Sequence, residues 1–382
     1  MVSAVFCRMT AAALLVMAGA ADRITAAVLS SMAADAVDGI SDAVIGVVKA
    51  LHADVWAGLA LNALLLWLVV KAMCGKVLTF LAEHGVTRAN YRGDVVPTGA
   101  GLLLWLAMLA DLALAAFWRA VDADQALSAI WQAVQADPAV SAPRPDAWKE
   151  AWEALAPGPE TAGLFAFSEI SLLRFALPAT VVFFAGWLDD TVGNRIVKGF
   201  RGHLQAWLRE GRITTGLMKA GAICAAAAWA SWNMGGHAAE WVVRTLVIAL
   251  TANALNLLDL RPGRALKGFF LFGAVLVSVS WMAGHTAESS AAAWRCIMPL
   301  AAAAAVLFRY DVRSKAMLGD TGANLLGFAL GYAAASVCPL PIQAGLLALL
   351  AWLHWIAERR SISGLIEGNA ALSWLDRLGR RG

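Results

Sequence analysis

Charged residues are scarce in this sequence. Only 15% of the 382 residues are charged and 60% are hydrophobic, a balance that excludes an ordinary soluble domain. Cysteine is also rare: the five cysteines are scattered without a C-x-x-C pair, which argues against a disulfide framework and against a cysteine metal site. The net charge of +3 is too small to indicate a partner by itself. The composition therefore predicts a polytopic integral membrane protein.

Apolar runs of membrane length recur along the chain, and each helical span of a bilayer needs about 20 such residues. Suitable runs lie near 55–81, 99–118, 164–188, 215–234, 237–257, 267–284, 290–308, 321–337 and 341–357. A further run at 3–20 resembles either a signal peptide or an additional first span. We therefore expect an all-α fold of about nine to ten transmembrane helices. Gly327 and Gly331 share one run four residues apart, which predicts close approach of two helices there.

The distribution of cations predicts the orientation of these spans. Loops rich in arginine and lysine alternate with cation-poor loops, and the longest cation-poor segment, 119–163, is net acidic. The positive-inside rule places the cationic loops in the cytoplasm and 119–163 outside a multi-pass plasma or inner membrane protein. We expect an N-terminal segment at 1–52, a transmembrane domain at 53–357 that carries the 119–163 insertion, and a cytoplasmic tail at 358–382. The tail is amphipathic, and a surface helix against anionic lipid is its simplest interpretation.

Two adjacent aspartates, Asp189 and Asp190, close the run at 164–188. Carboxylates at the mouth of a membrane helix are costly to desolvate, so this pair favours a functional site, and a helix cap would explain only one of them. Paired carboxylates beside a cationic segment suit a divalent metal that holds phosphate oxygens. Lys219, just inside the next span, would lie near the lipid phosphates, although snorkelling is a comparable interpretation of its position.

Three further polar stretches fall on the same predicted side of the membrane. Asn253, Asn256 and Asp259 recur every three residues and would share one helix face, where they could join helices or bind a polar ligand such as a nucleotide. Asp320 precedes an apolar helix and could cap it, hold a metal, or do both. The stretch 84–101 is either a basic flank with a turn or a loop that grips phosphate.

Four of these stretches together resemble the polyprenyl-phosphate N-acetylhexosamine-1-phosphate transferases, the superfamily of phospho-MurNAc-pentapeptide translocase and GlcNAc-1-phosphate transferases. The resemblance covers roughly residues 84–337. Its motifs are Asn90-Tyr91-Arg92-Gly93 with Val96-Pro97-Thr98, Gly186-Trp187-Leu188-Asp189-Asp190, Asn253-x-x-Asn256-x-x-Asp259, and Leu318-Gly319-Asp320-Thr321-Gly322. Each motif alone is weak, but their shared order and predicted side make the set specific.

The resemblance implies a reaction and its partners. Such enzymes move a sugar-1-phosphate from a UDP-sugar to a membrane polyprenyl phosphate, typically undecaprenyl phosphate, in cell-envelope polysaccharide synthesis. They release UMP and need Mg²⁺, with Mn²⁺ as the alternative ion. The expected partners are thus the two substrates and the bilayer, with no nucleic acid, while a homodimer stays open.

The resemblance also implies roles for individual residues. Asp189, Asp190 and Asp320 would be catalytic, with Asp189 facing the lipid phosphate and Asp190 and Asp320 at the metal. The residues implied to bind substrate are Asn253, Asn256, Asp259, Lys219, Arg92 and Arg261.

The chain departs from the family pattern at two places. The family's third motif carries a second carboxylate where this chain reads Asp259-Leu260-Arg261-Pro262-Gly263, and its late histidine-rich motif is absent from 358–382. We predict that Arg261 or Arg264 holds a diphosphate instead. Two alternatives follow: an inactive relative that binds lipid phosphate or a partner enzyme, and a transporter that uses acids such as Asp111 and Glu169.

Overall fold

The computed structural model describes residues 55–116, 169–193, 199–283 and 287–380. All of them fall within one compact unit, Val55–Gly382. The predictions for the N-terminal segment 1–52 and for the insertion 119–163 lie outside the described residues. The expected all-α character is confirmed, because the chain is mostly helical.

Long helices account for most of the described chain, with one short hairpin near its start. In chain order the elements are α1 (Val55–Glu83), β1 (Thr87–Ala89), β2 (Val95–Pro97), α2 (Leu102–Ala116), α3 (Glu169–Val192), α4 (Gly199–Glu210), α5 (Thr215–Trp232), α6 (Ala238–Leu258), α7 (Arg264–Met282), α8 (Ala287–Asp311), α9 (Gly319–Val337), α10 (Leu340–Ala357), α11 (Ile362–Glu367) and α12 (Ala370–Arg377). Within the described residues, a helix therefore occupies each of the nine predicted spans from 55–81 to 341–357.

Five of these helices are long and apolar enough to cross a bilayer. They include Asn62–Glu83 of α1, Arg174–Val192 of α3, and the whole of α6, α7 and α10, while α2 is apolar but shorter. By their length and composition, these helices indicate a membrane protein. The number of spans and the cytoplasmic orientation stay predictions.

Helix α9 lies at the centre of the described fold. Most of its side chains are buried, and α3, α6, α7 and α8 pack around it. A methyl group at Gly327 would lie 2.6 Å from the Ala252 Cα, and one at Gly331 would lie 2.7 Å from the Ile248 Cα. The predicted close approach at these glycines is confirmed, since only a residue without a side chain lets α6 and α9 pack backbone to backbone.

The hairpin is joined to the segment that leads into α9. Its strands pair in antiparallel register, Arg88 opposite Val96. The Met317 N–H donates to the Pro97 carbonyl at 2.8 Å, and the Ala100 N–H donates to the Met317 carbonyl at 3.1 Å. The stretch 84–101 is thus an ordered hairpin and turn.

The predicted amphipathic tail forms two short helices, α11 and α12. They dock on the α6–α7 connection, where the Arg264 guanidinium binds the Asp376 carboxylate through two contacts of 2.8 and 2.9 Å. Trp374 and Leu372 stay exposed. Helix α12 therefore packs on the protein through Asp376, whereas the buried side chain of α11 is Ile362.

Candidate active site

Helix ends bring the predicted site residues to one end of the bundle. Asp189 and Asp190 lie near the end of α3, and Asp320 lies in the first turn of α9. Lys219 lies near the start of α5, and Asp259 directly follows α6. Three separate stretches of sequence thus supply the acids of one cluster.

Lys219 joins two of the acids. Its ammonium donates to Asp189 Oδ2 at 2.7 Å and to Asp320 Oδ2 at 2.9 Å. The side chains of Lys219, Asp189 and Asp320 are 11%, 15% and 27% exposed. One cation therefore offsets two partly buried carboxylates, and the cluster keeps a net negative charge that favours further cations.

Asp190 faces the start of α9. Its Oδ2 accepts the Thr321 N–H at 2.9 Å and the Thr321 hydroxyl at 2.6 Å, and its Oδ1 accepts the Asp320 N–H at 3.2 Å. A carboxylate at a helix N-terminus satisfies amides that have no partner within the helix and complements the helix dipole. Asp190 therefore fixes α9 against α3 and holds the Asp320 backbone. Its role as a metal ligand stays a prediction.

The backbones of α3 and α9 touch at the site. A methyl group at Gly186 would lie 2.7 Å from the Asp320 carbonyl oxygen and 2.7 Å from the Thr321 Cα. The Gly186 position of the acidic motif thus has a packing role, because a side chain there would separate the two helices that carry Asp189 and Asp320.

Arg88 of β1 is a site residue that sequence reasoning missed. Its Nη1 lies 3.6 Å from Asp190 Oδ1, and its side chain is 21% exposed. The basic stretch around it was recognised, but no motif distinguished Arg88 from its neighbours. Thr215, which hydrogen-bonds Asp189, was missed for the same reason. Thr321 lies within a recognised motif, but its hydrogen bond to Asp190 was not predicted.

Two more carboxyls support the loops behind the cluster. Asp311 Oδ2 accepts the Gly263 N–H at 2.7 Å, and its carboxyl also accepts the Leu318 N–H. Asp259 accepts the Gly319 N–H. Burial raises the pKa of Asp259 well above its usual range, and the charges of Asp311 and Asp320 raise it further. Buried carboxyls therefore hold the two loops that lead into the acidic cluster.

The polar face of α6 that leads to Asp259 carries two asparagines, Asn253 and Asn256. The Asn256 side-chain oxygen is buried and has no hydrogen-bond partner among the residues that the structure describes. Buried polar atoms are usually paired, so an unpaired acceptor beside Asp259 suits a ligand that brings a donor. Asn253 is half-buried one turn earlier on the same helix.

Arg92 and Arg261 meet at the rim of the site. The Tyr91 ring centroid lies 5.3 Å from the Arg92 Cζ and 5.7 Å from the Arg261 Cζ. Arg92 Nε also donates to the Tyr91 hydroxyl at 2.7 Å, and Arg261 Nη2 lies 3.5 Å from a Glu367 carboxylate oxygen. The Arg92 side chain is exposed and that of Arg261 is 37% exposed, so both are accessible to an anion. Arg264, in contrast, is buried against the tail and does not face the rim.

Asp111, which motivated the transporter alternative, interacts with Arg295 across α2 and α8. An intramembrane charge with an opposite charge beside it is explained by helix pairing. The side chain of Glu169 lies outside the described part.

The acidic cluster can be tested for its fit to Mg²⁺. Among the residues that the structure describes, no three His, Cys, Asp or Glu side chains converge closely enough to hold an ion by themselves. Enzymes usually hold Mg²⁺ through one or two carboxylates together with substrate phosphates and water. Asp189 and Asp320 already share one cation through single oxygens. The donor set therefore fits an ion shared with a phosphate substrate.

The fold and the cluster define a helical membrane protein with an acid–lysine site at one end. Residues 172–337 match the family model of glycosyl transferase family 4. This is the family of phospho-MurNAc-pentapeptide translocase and GlcNAc-1-phosphate transferase-like enzymes, so the resemblance predicted from the motifs is confirmed. The match runs from inside α3 to the end of α9 and thus contains the acidic cluster but neither the hairpin nor the tail. No curated protein matches the chain.

Proposed function

We propose that the chain transfers a sugar-1-phosphate from a UDP-sugar to a polyprenyl phosphate, giving a polyprenyl-diphosphate sugar and UMP. The family match supports a polyprenyl-phosphate sugar-1-phosphate transferase in general. The single observation that carries the proposal is the bridge from Lys219 to Asp189 and Asp320 at the end of apolar helices. A lipid phosphate and a water-soluble diphosphate can meet only at such a boundary.

The reaction needs positioning and charge neutralisation more than proton transfer. An oxygen of the lipid phosphate attacks the phosphorus that carries the sugar, the bond to the bridging oxygen of UMP breaks, and that oxygen leaves with the electron pair. The attacking phosphate has a second pKa of about 6 and is mostly deprotonated at neutral pH. Asp189 therefore does not need to remove a proton, and its role is to orient Lys219 and the incoming phosphate.

We propose that Asp189 and Asp320 hold Mg²⁺. The motif resemblance implies Asp190 and Asp320, but both oxygens of Asp190 accept hydrogen bonds from the start of α9. When bound, the ion neutralises charge on the diphosphate and stabilises its leaving group. Asp190 fixes the positions of Asp189 and Asp320 relative to each other, because it binds the backbone of Asp320 while lying next to Asp189 in α3. Arg88 adds a positive charge on the opposite side of Asp190.

The donor would lie on the α6 side of the site. Asn256 offers its unpaired oxygen to the nucleotide, with Asn253 on the same polar face of α6 and Asp259 at its end. Arg92 and Arg261 at the rim suit the diphosphate, since guanidinium groups pair well with phosphate oxygens. We place the site at the cytoplasmic face, and the cation-rich loops of the sequence support that side. An N-acetylhexosamine is the expected sugar, and undecaprenyl phosphate the expected lipid.

The test is release of UMP by the purified chain in detergent with undecaprenyl phosphate, Mg²⁺ and a panel of UDP-sugars. We expect UMP with one UDP-N-acetylhexosamine and none after EDTA treatment. Asp320→Asn should abolish release, whereas Glu210→Gln, which neutralises an exposed acid on α4, should not change it. Absence of UMP with every donor, from protein that is shown to be folded, would instead favour the inactive relative that binds lipid phosphate.

A further inference from the structure

The C-terminal tail contains a buried acid between two arginines. Asp376 of α12 is 8% exposed and Arg264 at the start of α7 is 5% exposed. Arg264 Nε and Nη2 bind one oxygen each of Asp376, at 2.8 and 2.9 Å. Arg380 binds the same two oxygens at 2.6 and 3.0 Å. A carboxylate paired bidentately with two guanidinium groups is a strong and directional link.

The tail also binds the connection between α6 and α7 through its backbone. Arg380 Nε donates to the Pro262 carbonyl at 2.8 Å. In the opposite direction, Lys267 donates to the carbonyls of Leu375 and Asp376 at 3.0 and 2.7 Å, which satisfies the end of α12. The tail therefore donates a hydrogen bond to a carbonyl of the connection, and the start of α7 donates hydrogen bonds to carbonyls of the tail.

The connection held in this way leads directly to the acidic cluster. The Gly263 N–H donates to Asp311, which also accepts the Leu318 N–H, and the next amide, of Gly319, donates to Asp259. Gly319 immediately precedes Asp320. Hydrogen bonds and the adjacent peptide units between them therefore link the tail to Asp259, on the side of the site proposed for the donor.

The 259–263 connection has little else to hold it on its outer side. Leu260 is 60% exposed, and Gly263 has a φ of 74°, a left-handed conformation that glycine alone adopts at low cost. If Asp376 lost its charge while the tail stayed in place, the buried Arg264 guanidinium would lose the carboxylate that pairs with it, and the connection would have to rearrange to hydrate it.

We propose that the tail helices α11 and α12 are a brace for the 259–263 connection, and that Asp376 is a positioning residue for binding of the nucleotide sugar. This rests on the proposed function. Asp376 does not touch the substrate. It binds Arg264 directly and holds Pro262 through Arg380. These contacts fix the positions of Asp259 and of the rim residue Arg261.

The test compares Asp376→Asn with the conservative Asp376→Glu and with Arg377→Gln, which removes an exposed charge from the same helix. We expect Asp376→Asn to raise the KM for the UDP-sugar about tenfold, the equivalent of about 1.4 kcal/mol, with little change in kcat or in the KM for the lipid. Asp376→Glu should recover part of this loss, and Arg377→Gln should behave as the wild type. A purely structural defect would lower the active fraction, and thus kcat, without changing the KM.

Hydrogen–deuterium exchange of the backbone amides at 259–264 provides a readout that does not depend on activity. Faster exchange there in Asp376→Asn, but not in Arg377→Gln, supports the brace. Unchanged exchange together with an unchanged KM would overturn it. If Asp376→Asn does not fold, the milder Arg380→Gln decides in the same way. If the wild-type chain releases no UMP, the proposed function fails and the exchange result alone decides whether the brace exists.

Discussion

Replacing Lys219 with methionine tests whether Mg²⁺ can take the place of the Lys219 ammonium between Asp189 and Asp320. Lys219 is the cation shared by Asp189 and Asp320, and its side chain is 11% exposed. Methionine keeps the length and the apolar stem but removes the charge. The variant therefore leaves two facing carboxylates without the ammonium group that links them.

The cost of the substitution follows from the two contacts that are lost. A hydrogen bond to a charged group contributes about 1.5–3 kcal/mol, and removal of one partner from a buried pair costs about 3–5 kcal/mol. The carboxylates are 15% and 27% exposed, so water compensates part of the loss. We expect a net destabilisation of about 2 kcal/mol, which for a chain of 382 residues lowers the unfolding midpoint by about 2–3 °C.

Mg²⁺ should restore part of this stability, because the ion can replace the missing cation between Asp189 and Asp320. At a concentration ten times its Kd, a ligand of the folded state adds about 1.4 kcal/mol. We therefore expect Mg²⁺ to raise the midpoint of Lys219→Met by about 2 °C more than that of the wild type. The proposed transfer activity should stay lost, since the variant also lacks the phosphate contact that we propose for Lys219.

The assay is thermal unfolding in detergent at one scan rate, with and without Mg²⁺. Arg244→Met is the matched control, because it removes a partly buried cation from an ion pair with Glu240 at the far end of α6. Equal Mg²⁺ shifts for the wild type, Lys219→Met and Arg244→Met would refute the reasoning that Asp189 and Asp320 hold the ion.

Three further predictions follow from individual contacts. Gly186→Ala should lower stability by about 1–3 kcal/mol in thermal unfolding because α3 and α9 must separate, whereas Gly221→Ala on α5, with open space around it, should be neutral or stabilising. Arg88→Gln should lower kcat/KM about tenfold through loss of its charge beside Asp190, with Arg88→Lys retaining more activity in UMP release; equal activities of all three would contradict this. Burial raises the pKa of Asp376, but its contacts with Arg264 and Arg380 outweigh this and leave the pKa below its usual range. The Asp376 carboxylate therefore stabilises the fold fully above about pH 4 and loses this effect as the pH falls through its folded-state pKa, so midpoints measured from pH 6 downwards should fall less steeply in Asp376→Asn than in the wild type.

Local patterns in the sequence predicted the helices because apolar runs of membrane length are a strong signal. The runs at 215–234 and 321–337 correspond to α5 and α9, with ends that differ by a few residues. The close approach at Gly327 and Gly331 was also predictable, since small residues four apart on an apolar helix leave room for a neighbouring backbone.

The different partners of the paired aspartates were not predictable from the sequence. Asp189 and Asp190 are adjacent in sequence, yet one binds Lys219 and the other binds the start of α9. Which carboxylate turns toward which partner depends on the rotation of α3 against α5 and α9, and no local pattern records that rotation.

Contacts between distant parts of the chain were also not predictable from the sequence. Arg264 and Asp376 are 112 residues apart, and each alone reads as an ordinary charge in a polar loop or tail. The sequence therefore suggested a diphosphate ligand for Arg264, where the structure shows a partner within the chain.

The central claim is that phosphorus moves together with the sugar, and an isotopic label on the β-phosphate of the UDP-sugar tests it most directly. After incubation of the purified chain with undecaprenyl phosphate and Mg²⁺, we expect the label in the lipid fraction and unlabelled UMP in the aqueous fraction, both absent in Asp320→Asn. Label recovered as UDP would mean transfer of the sugar alone, and label that stays in the donor with folded protein would mean no transfer. Either result would contradict the proposed reaction.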